Sequence, residues 1–223
     1  GSTYYVSVRA TDTDSQVSDT TTSDGVTIDV TNPAISSVVE GSATSGSANT
    51  YSLSFDGSDD YVQIDNPNFY TNLDQISINL WIKIESYNSN GTIISKWTND
   101  NQNTARPFTI SIYSFLVNGG CASAAMEVDD LSLNEWNQLT FIYDNINDLI
   151  QFYHNGVLKV ENSTACQTLY EFSNQMTIGC LALLSDFFDG NIDDVSIWST
   201  ALSQSQIQSY MSTPPTGNEE GLV

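Results

Sequence analysis

Between Lys96 and Pro107 the chain gathers Trp97, Asn99, Asn101, Gln102, Asn103 and Arg106, and Tyr113 follows on the next strand. An indole or phenol ring offers a flat apolar face on which the C–H face of a sugar stacks. Amides and a guanidinium bond the hydroxyls, and the guanidinium also forks onto a carboxylate. Core packing does not need that mixture, and a plain connection would be shorter. Trp97, Arg106, Tyr113 and Lys96 are therefore the candidate ligand contacts. Set against this, most aromatics at strand ends pack loops down. A second group is acidic: Asp56, Asp59 and Asp60 in one phrase, Asp189, Asp193 and Asp194 in another. Carboxylates and turn carbonyls are what a hard cation such as calcium takes as ligands. The same side chains also cap turns through Asx hydrogen bonds with no metal present.

Other chemistry is thin. The one histidine, His154, precedes an Asn155-Gly156 turn and reads as a solvent-exposed hairpin residue, not the base of a triad. No G-x-S-x-G, H-E-x-x-H or phosphate loop occurs. Cys121, Cys166 and Cys180 form no C-x-x-C and no Cys/His cluster, which argues against zinc. They allow one disulfide, Cys121–Cys166 or Cys166–Cys180, or three buried thiols.

Composition limits the partners. Of 223 residues, 5 are basic and 27 acidic, so the net charge is -22. Such a chain repels nucleic acid and anionic membranes, and no apolar run approaches a membrane span. Hydrophobic residues reach 39 %, enough for a packed core and too many for disorder. The Gly-Ser opening without Met reads as the cut end of an excised fragment.

The elements that must hold these residues are strands. Tyr4, Val6 and Val8 alternate with polar residues, as do Val26, Ile28 and Val30. Residues 34–50 are small and polar and read as a linker. From Tyr51 alternating runs recur at short spacing, and a further strand ends at Ile178-Gly179. The runs cover 51–55, 59–64, 76–84, 92–97, 108–113, 133–143 and 149–158, with Asn155-Gly156 as a hairpin turn. Trp81, Trp136 and Trp198 fall within these alternating runs and read as core or half-core. A strand follows at 191–198, with Ile192, Val195, Ile197 and Trp198 as inward candidates. Ser203 then N-caps a short helix on which Ile207, Tyr210 and Met211 recur at helical spacing. The pattern predicts an all-β, two-sheet antiparallel sandwich with one C-terminal helix.

Several phrases also carry a resemblance. They are Leu53-Ser54-Phe55-Asp56-Gly57 with Tyr61-Val62-Gln63-Ile64, the Trp81-Ile82-Lys83 strand, and Trp136 with Leu139 and Tyr143. Tyr153-His154-Asn155-Gly156 and Phe188-Asp189-Gly190-Asn191-Ile192-Asp193-Asp194-Val195 complete the set, in order. Over about 51–211 the chain resembles laminin G-like jellyroll domains of the concanavalin A-like lectin/glucanase superfamily. Residues 1–33 resemble the last two strands of a fibronectin type III-like domain. The implied organisation is a partial hairpin at 1–33, a linker at 34–50, a jellyroll at 51–213, and a linker or the start of a next strand at 214–223.

The resemblance implies a structural calcium tying the first strands to the last, with Asp56, Asp59, Asp193 and Asp194 as ligands. It also supplies a test for catalysis. Related retaining glucanases carry a Glu-x-Asp-x-Glu type strand, and Glu127-Val128-Asp129-Asp130 lacks the second Glu, so no enzyme is expected. The implied function is a non-catalytic carbohydrate-binding module of a secreted or cell-surface multidomain bacterial protein. Its partners would be a polysaccharide and neighbouring domains of the same polypeptide. The alternatives are a protein-interaction or adhesion domain and a spacer.

Overall fold

The computed structural model describes residues 2–4, 7–8, 21–22, 26–28, 52–64, 73–87, 91–96, 108–117, 122–125, 131–163, 169, 175–181 and 184–223. The chain forms two units, Gly1–Val38 and Val39–Val223. In the first, β1 (Ser2–Tyr4) pairs antiparallel with β4 (Val26–Ile28), and β2 (Ser7–Val8) with β3 (Thr21–Thr22).

The second unit holds two six-stranded antiparallel sheets. Sheet I is built from β6 (Val62–Ile64), β8 (Thr92–Lys96), β9 (Phe108–Ser111), β10 (Ser114–Val117), β11 (Ala122–Ala125) and β15 (Met176–Ile178). Its strand order is β11-β10-β9-β8-β15-β6. Sheet II is built from β5 (Leu53–Asp56), β7 (Gln75–Ile84), β12 (Trp136–Asp144), β13 (Leu149–His154), β14 (Val157–Ser163) and β16 (Asp189–Trp198). Its order is β14-β13-β12-β7-β16-β5. Helix α1 spans Gln204–Tyr210.

Alternation decides which face each side chain takes. On β7, Ile78, Leu80, Ile82 and Ile84 point between the sheets and meet Leu139, Phe141, Ile94, Ile110 and Phe115 in one core. Phe141 stacks on Phe152 at 5.2 Å and tilts against Phe115 of the opposite sheet at 5.5 Å, so aromatic contact spans the sandwich. The β13–β14 hairpin turns on Asn155 (φ 49°) and Gly156 (φ 71°), both in the left-handed region that a two-residue turn of this type needs.

The outer face of sheet II carries a second, smaller core. Ile142, Tyr153 and Trp198 receive Leu202 and Ile207 from the helix segment, and the Trp198 ring stacks on Tyr210 at 5.0 Å. Trp198 is thus buried, but on the face away from the main core. The reason is a bulge between Asp193 and Ser196, which spends one extra residue on β16 and flips the parity after Ile192. Asp194 takes the positive φ of 47° that the bulge requires. Ser203 caps α1 with a full capping box, its hydroxyl accepting from the Gln206 N–H and the Gln206 side chain accepting from the Ser203 N–H.

Three expectations are corrected. His154 is buried, not exposed. Its ring Nε2 lies 2.9 Å from the Asn137 side-chain oxygen, because its position opposite Leu139 turns it inward. Trp136 is not core; it stands on the outer face of sheet II, 42 % exposed. Cys180 is a free, buried thiol, which removes the Cys166–Cys180 pairing; Cys121 and Cys166 lie outside the described residues. Burial pushes the Cys180 thiol up, and a hydrogen bond with Thr177 opposes that weakly. Residues 214–223 fold back on the sandwich. Leu222 bridges to Trp198, and the Val223 N–H donates to the Ile197 carbonyl at 2.9 Å.

Candidate functional site

The acidic phrase after β5 sits where the chain leaves the edge of sheet II for β6 at the edge of sheet I. Asp56 closes β5, and its Oδ1 accepts from the Ser58 N–H at 2.8 Å. The Asp56 N–H donates to Asp60 Oδ2 at 3.1 Å. These two bonds fold the loop back so that Asp56, Asp59 and Asp60 each bring one carboxylate oxygen within 4.8 Å of the others, all exposed. Oxygens bound to calcium at 2.3–2.6 Å can lie at most about 5 Å apart, so the three carboxylates fit that ion.

Gly57 makes the turn possible. Its φ is 75°, and a Cβ there would meet the Asp189 Cβ at 3.0 Å. Asp189 stands directly across from Asp56 in the β5–β16 pairing. Its carboxylate is held by the Ser86 hydroxyl at 2.5 Å, and its carbonyl accepts from the Glu85 N–H at 3.0 Å.

This register separates residues that the resemblance grouped together. Asp193 lies four positions beyond Asp189, about 13 Å along the strand, opposite Trp81. Its Oδ1 accepts from the Asp194 N–H at 2.8 Å, which anchors the bulge. Asp193 and Asp194 therefore do not join Asp56 and Asp59 in one metal cluster, and Asp60 is the third member. The signal for Asp60 is its place in the same loop; strand pairing alone rules out Asp193 and Asp194.

The expected ligand contacts divide in the same way. Trp97 and Arg106 lie outside the described residues, as does Glu127-Val128-Asp129-Asp130. Lys96 ends β8 with its side chain 1 % exposed, which removes it as a surface contact. Tyr113 is half-buried in the turn between β9 and β10, packs against the main core, and donates its hydroxyl to the Tyr87 carbonyl at 3.3 Å.

A buried polar patch on sheet II has no counterpart in the sequence motifs. Asn79, Gln138 and Thr140 share its outer face. The Asn79 side-chain oxygen accepts from the Gln138 amide and from the Thr140 hydroxyl, the latter at 2.8 Å. Gln138 Nε2 also donates to Thr140 Oγ1 at 2.8 Å, while Gln138 Oε1 is left without a partner among the described residues.

Similar proteins agree with this architecture. The structure of a heptameric SAP-like pentraxin from Limulus polyphemus superposes with a TM-score of 0.54 at 18 % identity, over 76 % of this chain and 89 % of that one. Domain 4 of AbnA, a GH43 extracellular arabinanase from Geobacillus stearothermophilus solved with arabinotriose, gives 0.51 at 20 % identity over 67 % and 71 %. A candidate carbohydrate-binding protein from Bacteroides ovatus gives 0.61 at 18 % identity, over 77 % of this chain but only 49 % of that one. At these identities the likeness establishes the fold. No curated protein sequence matches significantly. The laminin G type family model matches residues 56–208, from the acidic loop into the capped helix, and by that match the chain belongs to the concanavalin A-like lectin/glucanase superfamily.

Proposed function

We propose that this chain is a non-catalytic carbohydrate-binding module of a secreted or cell-surface multidomain protein, and that it binds a polysaccharide. The observation that carries the reading is membership of a lectin and glucanase superfamily over most of the jellyroll. The fold shared with an arabinanase domain solved with arabinotriose supports it. Calcium bound by Asp56, Asp59 and Asp60 would pin the crossing between the sheets. The loop Lys96 to Pro107, through Trp97 and Arg106, would meet the sugar, with Tyr113 as a third contact.

The test is gel retardation and calorimetry against a panel of neutral and acidic polysaccharides, with millimolar calcium and with EDTA. Binding to at least one polysaccharide is expected. Trp97→Ala should then cost about 1–2 kcal/mol of affinity while melting is unchanged. If the protein binds no glycan yet captures a protein partner or self-associates, the adhesion reading replaces this one. Silence in every assay leaves a spacer.

A further inference from the structure

The outer face of sheet II has a covered half and an open half. The register sets its side chains in rows across β16, β7 and β12. Trp198, Ser77 and Ile142 form one row, and Ser196, Asn79 and Thr140 the next. The first lies under the α1 segment: Trp198 and Ile142 pack there, and the Ser77 hydroxyl bonds the Thr200 carbonyl and the Leu202 N–H. The following rows are Asp193, Trp81 and Gln138, then Asn191, Lys83 and Trp136. Gln138 is buried with Asn79 and Thr140, so the accessible side chains here are Asp193, Trp81, Asn191, Lys83 and Trp136. Here two indoles stand diagonally on neighbouring strands, as diagonal neighbours about 7–8 Å apart and somewhat less at Cβ. Trp81 is half-buried and belongs to neither hydrophobic core, and Trp136 is 42 % exposed.

Paired indoles rimmed by polar side chains on a solvent-facing sheet are a composition that ligand-binding surfaces use. Their surroundings define the ligand. Lys83 and Asn191 supply donors beside the rings, and the Asn191 amide is already steadied on the Ser52 hydroxyl at 3.2 Å. Asp193 and the exposed Asp194 supply acceptors. The rows span three strands and two side-chain repeats, at most roughly 200 Å². A specific protein interface needs about 800 Å² per partner, so this patch is too small for a second copy or a folded partner. One local cation against two carboxylates, on a chain of net charge -22, disfavours a polyanion. What fits is an uncharged molecule with flat C–H faces and a rim of hydroxyls.

The geometry points to the Trp81–Trp136 platform as a binding site for a neutral hexopyranose chain, built from other residues than the Trp97 and Arg106 candidates. One sugar ring stacks on each indole, and Lys83, Asn191 and Asp193 bond the hydroxyls. This rests on the carbohydrate-binding reading and names a site and a ligand class for it.

The experiment titrates the full chain with β-linked gluco- and manno-hexasaccharides and with a uronate hexasaccharide, following tryptophan fluorescence and heat. Trp136→Ala, Trp136→Phe and Trp97→Ala are compared, with melting curves for each. The platform predicts binding of a neutral hexasaccharide, a tenfold or greater loss in Trp136→Ala at unchanged melting, and substantial retention in Trp136→Phe. Neutral-sugar binding that Trp136→Ala leaves intact overturns the platform while the carbohydrate-binding reading stands. Binding of the uronate alone likewise overturns the platform and spares that reading. Absence of binding to every sugar in the wild-type chain overturns both.

Discussion

Single residues here act through the partners of a few polar atoms. Asp56, Asp59 and Asp60 bring three carboxylate oxygens within 4.8 Å of one another, a crowding that a divalent cation would relieve. Calcium at 100 times its Kd should stabilise the native state by about 2.7 kcal/mol. Millimolar calcium should therefore raise the Tm over EDTA in the wild-type chain, and Asp59→Asn should erase that shift; an equal shift in the variant would move the ion elsewhere. In the buried patch of sheet II, the Asn79 oxygen serves two donors while Gln138 Oε1 serves none among the described residues. Asn79→Leu strands the Thr140 hydroxyl and should cost about 1–3 kcal/mol. Gln138→Leu removes an orphaned acceptor and should cost less, as urea midpoints would show. Glu219 is a third case. The Thr216 N–H, then its hydroxyl and the Gly217 N–H, lower its pKa from 4.5 to about 2. A lowered carboxylate stabilises the fold above its unfolded value and loses that contribution as pH falls through the folded one. The Tm gap between wild type and Glu219→Gln should be open at pH 7 and close between about pH 4.5 and 2.

At the scale of elements, α1 depends on what it covers more than on its own propensity. Seven residues are too few to hold a helix alone in water. Ile207 is its buried residue, set among Ile142, Tyr153 and Trp198. Ile207→Ala should cost about 2–5 kcal/mol, whereas Ser203→Ala, which removes only the cap, should cost about 1 kcal/mol. Chemical denaturation separates the two. The turn after β15 has a comparable constraint. Gly179 has φ 89°, and a Cβ there would run into the Phe55 ring. Gly179→Ala should lower stability by at least about 1–3 kcal/mol, and pairing it with Phe55→Leu should recover part of that loss.

For the whole molecule, charge sets the terms of every encounter. With 27 acidic against 5 basic residues, self-repulsion opposes the compact state. The Debye length falls to about 3 Å at 1 M salt, so the Tm should climb between about 0.05 and 1 M sodium chloride. A Tm indifferent to salt would mean that the carboxylates are neutralised within the fold. The same repulsion disfavours polyanionic partners at low ionic strength.

The strand pattern, the Asn155-Gly156 turn, the Ser203 cap and the sandwich were legible in the sequence, because periodicity and turn chemistry are local. β10 and β11 were not, since their short runs, Ser114–Val117 and Ala122–Ala125, carry little alternation. The grouping of Asp56 with Asp59 and Asp60 was half-legible: the loop was visible, but the partners across the sheet were not. Register settled that, by placing Asp189, not Asp193, opposite Asp56. Register and one bulged residue also turned Trp198 toward the helix, while strand parity set Trp81 and Trp136 on the open face. Alternation tells that a strand has two faces. Which face meets the core, which a helix covers and which is left to solvent depends on long-range pairing, and one extra residue reverses it.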